Sequence, residues 1–289
     1  TGLSTLRPIA ITASLWFAIG WTDPDASQAS SAVQRTKDGG TIWATLARPS
    51  PDDAWQDFCA DAAGRLWGLT LDKVTTNYIA KIFYSDDEGD NWTLAKTIAG
   101  SSAATRPIYT YLCAHPTNQN KVWAIGIVGT SGQLLGAVAT IDRGTTWTTN
   151  TSATVCNATN YTNGQRVWVT PNSRLCFIGH SGTGKDIYTS DDNGATWTKR
   201  QNLAILSGGY GVGFTGDRFS TQIYAMGIDI NATPDDNWIY RSVDGGALWT
   251  AFTNAAPSSS STEKYYGIVY DDVLDALYIS STTRVLQLT

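Results

Sequence analysis

Aspartates and aromatic residues of the kind that hold sugars recur in the short stretches between apolar runs. Asp23 and Asp25 flank Pro24, Asp52 and Asp53 precede Trp55, and Tyr78, Tyr161 and Tyr210 stand at or near the ends of such stretches. Carboxylates accept hydrogen bonds from hydroxyls, and the flat apolar bodies of Trp and Tyr suit stacking on a sugar ring. Asp23, Asp25, Asp52, Trp55, Tyr161 and Tyr210 are therefore the candidate binding residues. Most of these aromatics also open an apolar run, so packing in a core is the competing reading.

Other chemistries find less support. The four cysteines, Cys59, Cys113, Cys156 and Cys176, contain no C-x-x-C pair, and His115 and His180 stand far apart. No zinc site or histidine-based triad is expected from them. Asp229-Ile230-Asn231 and Pro234-Asp235-Asp236-Asn237 cluster oxygen ligands but lack the EF-hand spacing. Gly179 to Asp186 has the flavour of a phosphate loop, yet it joins two strand-like runs and ends in Asp. The chain is expected to carry no cofactor and no metal. Cys59 and Cys113 occupy matching places in adjacent repeats and Cys176 a core position, so no disulfide is expected.

With a net charge of −5, a pI near 4.9 and no basic cluster, nucleic acid is excluded as a partner. No apolar run is long enough to span a membrane; the longest, Leu15 to Trp21, is one strand. The chain opens on Thr without a signal peptide, which reads as a trimmed N-terminus. Few Lys and Glu, and many Ser, Thr, Asn and Trp, suit an extracellular, virion-surface or cell-surface protein.

The elements that position these residues are set by a repeat. The frame S/T-x-D-x-G-x-x-W occurs at 36–43, 85–92, 140–147, 190–197 and 242–249. Its aspartates, Asp38, Asp87, Asp142, Asp192 and Asp244, are separated by 49, 55, 50 and 52 residues. A period near fifty marks an array of supersecondary units. Each octet follows an apolar or aromatic run and precedes a Thr-rich one, which predicts strand, turn, strand. Within the turn, Ser/Thr and Asp side chains bond backbone amides and the Gly takes positive φ. These five aspartates are expected to be structural.

A second repeat, apolar–aromatic–apolar, precedes each octet and occurs once more near the C-terminus. Its central positions are Trp16, Trp67, Trp123, Cys176, Tyr224 and Tyr278. That makes six repeats. Four strands, A to D, are predicted in each, with strand A near 8–12, 55–60, 108–114, 166–170, 209–215 and 264–270. The last repeat lacks an octet and a strand D, and residues 2–6 are expected to supply that strand and close the array, so that no sheet edge stays open. No low-complexity linker divides the chain, so residues 1–289 are read as one domain.

The octets resemble the Asp-box (BNR) repeat of sialidases and other β-propellers. The resemblance implies an all-β, six-bladed β-propeller with the boxes as C–D turns at one face. Binding loops then lie at the other face, among them 22–31, 50–54, 99–107, 150–165, 229–237 and 254–263. It also implies a candidate chemistry, that of a sialidase-like glycoside hydrolase: three Arg on a carboxylate, a Tyr nucleophile activated by Glu, and an Asp acid/base. Arg7, Arg106 and Arg166, Glu263, Tyr265 (or Tyr266) and Asp53 (or Asp52) are the residues that would fill those roles. The chain departs from the pattern at Arg7-Pro8, where an Ile is missing between the two, and in blade five, which no Arg opens. Glu88 and Glu263 are the chain's two glutamates, and Glu88 lies inside an octet. The preferred reading is a non-catalytic surface propeller that binds a glycan or a protein partner, with assembly into an oligomer as a variant. The sialidase-like hydrolase is the alternative.

Overall fold

The computed structural model describes residues 5–21, 32–51, 53–74, 77–99, 108–128, 134–155, 167–181, 184–202, 210–229, 236–252, 265–271, 273–281 and 285–288. These residues form strands and turns, with no helix among them. Six small antiparallel sheets follow one another along the chain, the blades of a six-bladed β-propeller. Two compact units divide them, Thr1–Ala153 and Thr154–Thr289.

The first unit carries three sheets. Sheet one is β1 (Thr5–Ala10), β2 (Trp16–Trp21), β3 (Ala32–Thr36) and β4 (Ala44–Thr45). Sheet two is β5 (Asp53–Ala60), β6 (Leu66–Val74), β7 (Asn77–Ser85) and β8 (Thr93–Ala99). Sheet three is β9 (Ile108–Ala114), β10 (Val122–Val128), β11 (Leu134–Thr140) and β12 (Thr148–Val155), whose last two residues cross the division. The second unit carries sheet four, β13 (Val167–Val169), β14 (Leu175–Ser181), β15 (Gly184–Ser190) and β16 (Thr198–Asn202). Sheet five is β17 (Tyr210–Gly216), β18 (Ile223–Asp229), β19 (Asp236–Ser242) and β20 (Thr250–Ala251), and sheet six is β21 (Tyr265–Asp271), β22 (Ala276–Ser281) and β23 (Val285–Leu288). In every sheet the strands pair in chain order.

Strands A and B fall where the repeat predicts them, with two corrections. Thr5 and Leu6, expected in the outer strand of the last sheet, pair instead with Trp21 and Gly20 of sheet one. They prolong the ladder that β2 needs along its whole length, and Pro8, without an N–H, is tolerated there because β1 is an edge strand. Sheet six has three strands among the described residues; residues 2–4 lie outside them.

The second correction is a one-residue slip in sheet one. Trp67, Trp123, Cys176 and Tyr224 each pair with the residue just before an octet: Tyr84, Ala139, Thr189 and Arg241. In sheet one the residue paired that way, with Arg35, is Phe17, not Trp16. A slip of one reverses the face of every side chain. Phe17 is accordingly buried, whereas Trp16 is half-buried and donates its indole N–H to Thr12 O at 3.0 Å.

Each unit is held by apolar layers between successive sheets. Phe17 stacks on Phe58 at 4.5 Å, and Phe58 and Trp92 flank Trp55, sealing sheets one and two. Trp67, Leu112, Val122 and Val138 join sheets two and three. In the second unit Cys176 and Ile187 pack with Phe214 and Trp249, and Tyr224 and Met226 with Ile268 and Ile279. Polar staples cross the same seams. The Leu112 N–H donates to the buried Asp57 carboxylate at 2.8 Å, and the Tyr270 N–H to Thr215 Oγ1 at 2.8 Å. Leaving a buried amide such as that of Leu112 without an acceptor is costly, so the carboxylate of Asp57 belongs to the scaffold.

Cys59, Cys113 and Cys176 are free thiols, and Cys156 lies outside the described residues. Burial pushes all three upward, Cys176 to about 12, so none offers a ready thiolate.

Candidate functional site

The two ends of each sheet are built differently. At one end stand the A–B turns and the octets. In all five octets the leading Ser or Thr hydroxyl donates to the Asp carboxylate at 2.6–2.8 Å, and the octet Gly N–H donates to that hydroxyl at 2.8–3.0 Å. The Asp accepts again from an amide four residues on: Ile42, Asn91, Thr146, Thr196 or Leu248. Two successive residues then turn with positive φ, from Gly39 and Gly40 to Gly245 and Gly246. Four octet Trp side chains return an N–H to the Gly carbonyl, while the Trp92 N–H has no partner.

Asp38, Asp87, Asp142, Asp192 and Asp244 are thus turn pins. All five are held below the ordinary carboxylate range. The main cause is the Ile42 amide for Asp38, the Asn91 amide for Asp87 and the Thr146 hydroxyl for Asp142. For Asp192 and Asp244 burial pushes upward, and the bonds from Thr196 and from the Leu248 amide outweigh it. A depressed folded value gives stability that is complete above the unfolded value of 3.8 and lost as pH falls through the folded ones. The urea midpoint is therefore expected to fall below about pH 4, and to fall less steeply in an Asp87→Asn variant.

The octets also reach the preceding sheet. Arg35 of sheet one donates to Glu88 O at 2.9 Å and pairs with Asp90 at 2.7 Å. Arg143 pairs with the buried Asp61 of sheet two at 3.0 Å, and Arg174 of sheet four donates to Gly245 O at 3.4 Å.

At the opposite end of sheet two is a different cluster. Asp53 opens β5 and faces Asp72 near the end of β6, while Lys81 of β7 faces Thr70. Lys81 Nζ lies 2.9 Å from Asp53 Oδ1 and 3.2 Å from Asp72 Oδ2, and the Thr70 hydroxyl donates to Asp53 Oδ1 at 3.4 Å. The side chains of Asp53 and Asp72 are 1% and 9% exposed, that of Lys81 19%. Burial draws the Lys81 ammonium downward, but bonds to the two carboxylates outweigh it and the net displacement is upward. Asp72 Oδ1 is buried with no hydrogen-bond partner. Sheet four carries a simpler pair toward the same end, with Lys199 Nζ 2.8 Å from the buried Asp186.

The nominated residues separate accordingly. Asp53 is in the cluster. Trp55, expected to offer a face to a ligand, is fully buried between Phe58 and Trp92 and donates to Ala47 O at 3.3 Å. Its place in β5, one sheet layer beneath sheet one, takes that face out of play. Tyr210 and Tyr265 open β17 and β21, and Arg7 lies in β1 opposite Ile19. Asp23, Asp25, Asp52, Arg106, Tyr161, Arg166 and Glu263 lie outside the described residues. Asp72, Lys81 and Thr70 were not singled out in the sequence. The available signal was charge inside two facing strand runs, Asp72 and Lys73 in Leu66 to Val74 and Lys81 in Asn77 to Ser85. Among the described residues no group of three or more His, Cys, Asp or Glu is placed to hold a metal, and no helix is long and apolar enough to cross a membrane.

No family model matches the chain, and no curated protein matches it in sequence. Solved structures do resemble it. A Niastella koreensis GH74 enzyme aligns with a TM-score of 0.60 at 14% identity, over 98% of this chain and 44% of that one. A Dyadobacter fermentans protein of unknown function aligns with a TM-score of 0.60 at 11% identity, over 96% and 90%. A Hadza microbial sialidase aligns with a TM-score of 0.54 at 14% identity, over 95% and 62%. At such identities the likeness shows the fold alone. This chain spans less than half the length of the GH74 enzyme and under two thirds of the sialidase.

Proposed function

We propose that the chain is a non-catalytic propeller that binds carbohydrate at the loop end of its sheets, working outside the cell or on a virion or cell surface. Two lines support this reading: the fold is shared with glycoside hydrolases, and the octets resemble the Asp-box of sugar-handling propellers. The observation that supports the non-catalytic part is the state of Asp53, one of the two aspartates named for the acid; the other, Asp52, lies outside the described residues. A general acid must reach the glycosidic oxygen, whereas Asp53 is buried with Oδ1 held by Lys81 and Thr70.

A glycan array and a fluorogenic sialoside assay, run side by side, test the proposal. Array binding without turnover is the expected result. Sialoside turnover that Asp53→Ala and Tyr265→Phe abolish would establish the hydrolase instead. An array with no hits, together with a stable oligomer in solution, would favour a protein partner.

A further inference from the structure

We infer that the octet end of sheets five and six is a docking surface for a protein segment that carries apolar side chains in a basic frame. It lies at the end opposite the loops and is independent of the carbohydrate reading. Five large apolar side chains stand exposed there: Phe219 in the β17–β18 turn, Val243 and Leu248 in the octet of sheet five, and Val273 and Leu274 in the β21–β22 turn. Hydrogen bonds tie these three turns together. Thr221 Oγ1 donates to Val243 O at 2.7 Å and the Gly245 N–H to Thr221 O at 2.9 Å, while the Tyr270 N–H meets Thr215 Oγ1 at the foot of the two A–B turns.

Turn geometry does not ask for these side chains. Phe219, Val273 and Leu274 give their turns backbone N–H groups, received by Asp217 and Asp271. The matching turns of sheets two to four, Asp61 to Arg65, His115 to Lys121 and Thr170 to Arg174, contain no Val, Leu, Ile or Phe. In the octets of those sheets the residue before the Trp, Asn91, Thr146 or Thr196, returns a side-chain bond to the octet carboxylate at 2.6–2.7 Å, a bond that Leu248 cannot make. Single exposed apolar residues are ordinary on a protein surface, whereas five gathered at one end of two adjacent sheets mark a contact face. The surrounding charge selects the partner. Asp217, Asp244, Asp271 and Asp275 frame the five side chains, and Arg218 is the one cation among the described residues of these turns. A second copy would bring the same carboxylates against them, and an anionic lipid surface would be repelled likewise. A partner with Lys or Arg around an apolar centre suits both features, the centre supplying affinity and the frame orientation.

Fluorescence anisotropy of the whole chain with three labelled amphipathic peptides of one length, made of Leu and Lys, Leu and Glu, or Ser and Lys, tests the inference. The Leu–Lys peptide is expected to bind at least about tenfold tighter than either of the others. Phe219→Ser combined with Val273→Ser, at exposed positions whose loss should leave the urea midpoint in place, is expected to weaken that peptide by about tenfold or more. Asp217→Asn combined with Asp271→Asn, which keeps both acceptors for the turn amides, is expected to weaken it less and to flatten its dependence on salt. Failure of the Leu–Lys peptide to bind, equal binding of either other peptide, or indifference to the Ser double variant overturns the docking surface. So does a dimer in sedimentation velocity, or adsorption to anionic vesicles, that the Ser double variant abolishes: the first assigns this face to a second copy, the second to a lipid surface.

Discussion

Gly144→Ala is expected to destabilise the protein by about 2–4 kcal/mol, from strain and overpacking together. Gly144 has φ +88, and a Cβ there would stand 2.8 Å from Trp67 Cη2 and 3.3 Å from Cζ3. Trp67 is fully buried against Trp147 and the sheet two–three core, so it cannot swing aside cheaply. Gly246 makes the corresponding contact in the second unit, its Cβ position 2.8 Å from Cys176 Sγ. A control separates the two costs. Gly64 also has a positive φ, +86, yet nothing lies within 4 Å of its Cβ position. Gly64→Ala should lose only the backbone part, about 1–2 kcal/mol. Urea unfolding of the three proteins gives the comparison, and equal losses at Gly64 and Gly144 would refute the packing argument.

Removing Asp53 is the second large effect. Asp53→Ala takes away the nearer of the two carboxylates holding Lys81, and a loss of about 3 kcal/mol is expected for breaking a buried pair. Lys81→Met should cost more, about 4–5 kcal/mol, because it strands two carboxylates where Asp53→Ala strands part of one ammonium. The order of the two losses in urea unfolding is the informative measurement. If Lys81→Met were the milder change, the cluster would not be an ion triad centred on the lysine.

Two repeats made the six sheets legible in the sequence: each of the five octets states its own turn chemistry, a hydroxyl, a carboxylate three residues into the turn, a glycine and a flat aromatic, and the apolar–aromatic–apolar run adds the sixth sheet. What they could not state was register. Leu15-Trp16-Phe17 offers two adjacent aromatics, and only pairing with β3 decides that Phe17 enters the core. The destination of Thr5 and Leu6 was equally open, since a short Thr-Leu segment suits either an outer or an inner strand. Among site residues, Asp53 was found because it stands beside another Asp where a strand-like run opens. Its partners stayed hidden, because Lys81 and Asp72 meet it only through the cross-strand pairing of β5, β6 and β7. Trp55 was misplaced for a related reason: an aromatic that begins a strand looks the same whether its ring faces water or the neighbouring sheet.

The reach of each octet into the sheet before it has a consequence for how such a chain can diverge. Mortar between neighbouring sheets, such as Arg35 on Glu88 and Arg143 on Asp61 in the first unit and Arg174 on Gly245 in the second, is laid at the octet end of the sheets. Length changes and new side chains at the opposite end of each sheet need not disturb it. Insertion there would leave the masonry as it is, so descendants of one such chain can lengthen or recompose those connections without unseating one sheet from the next.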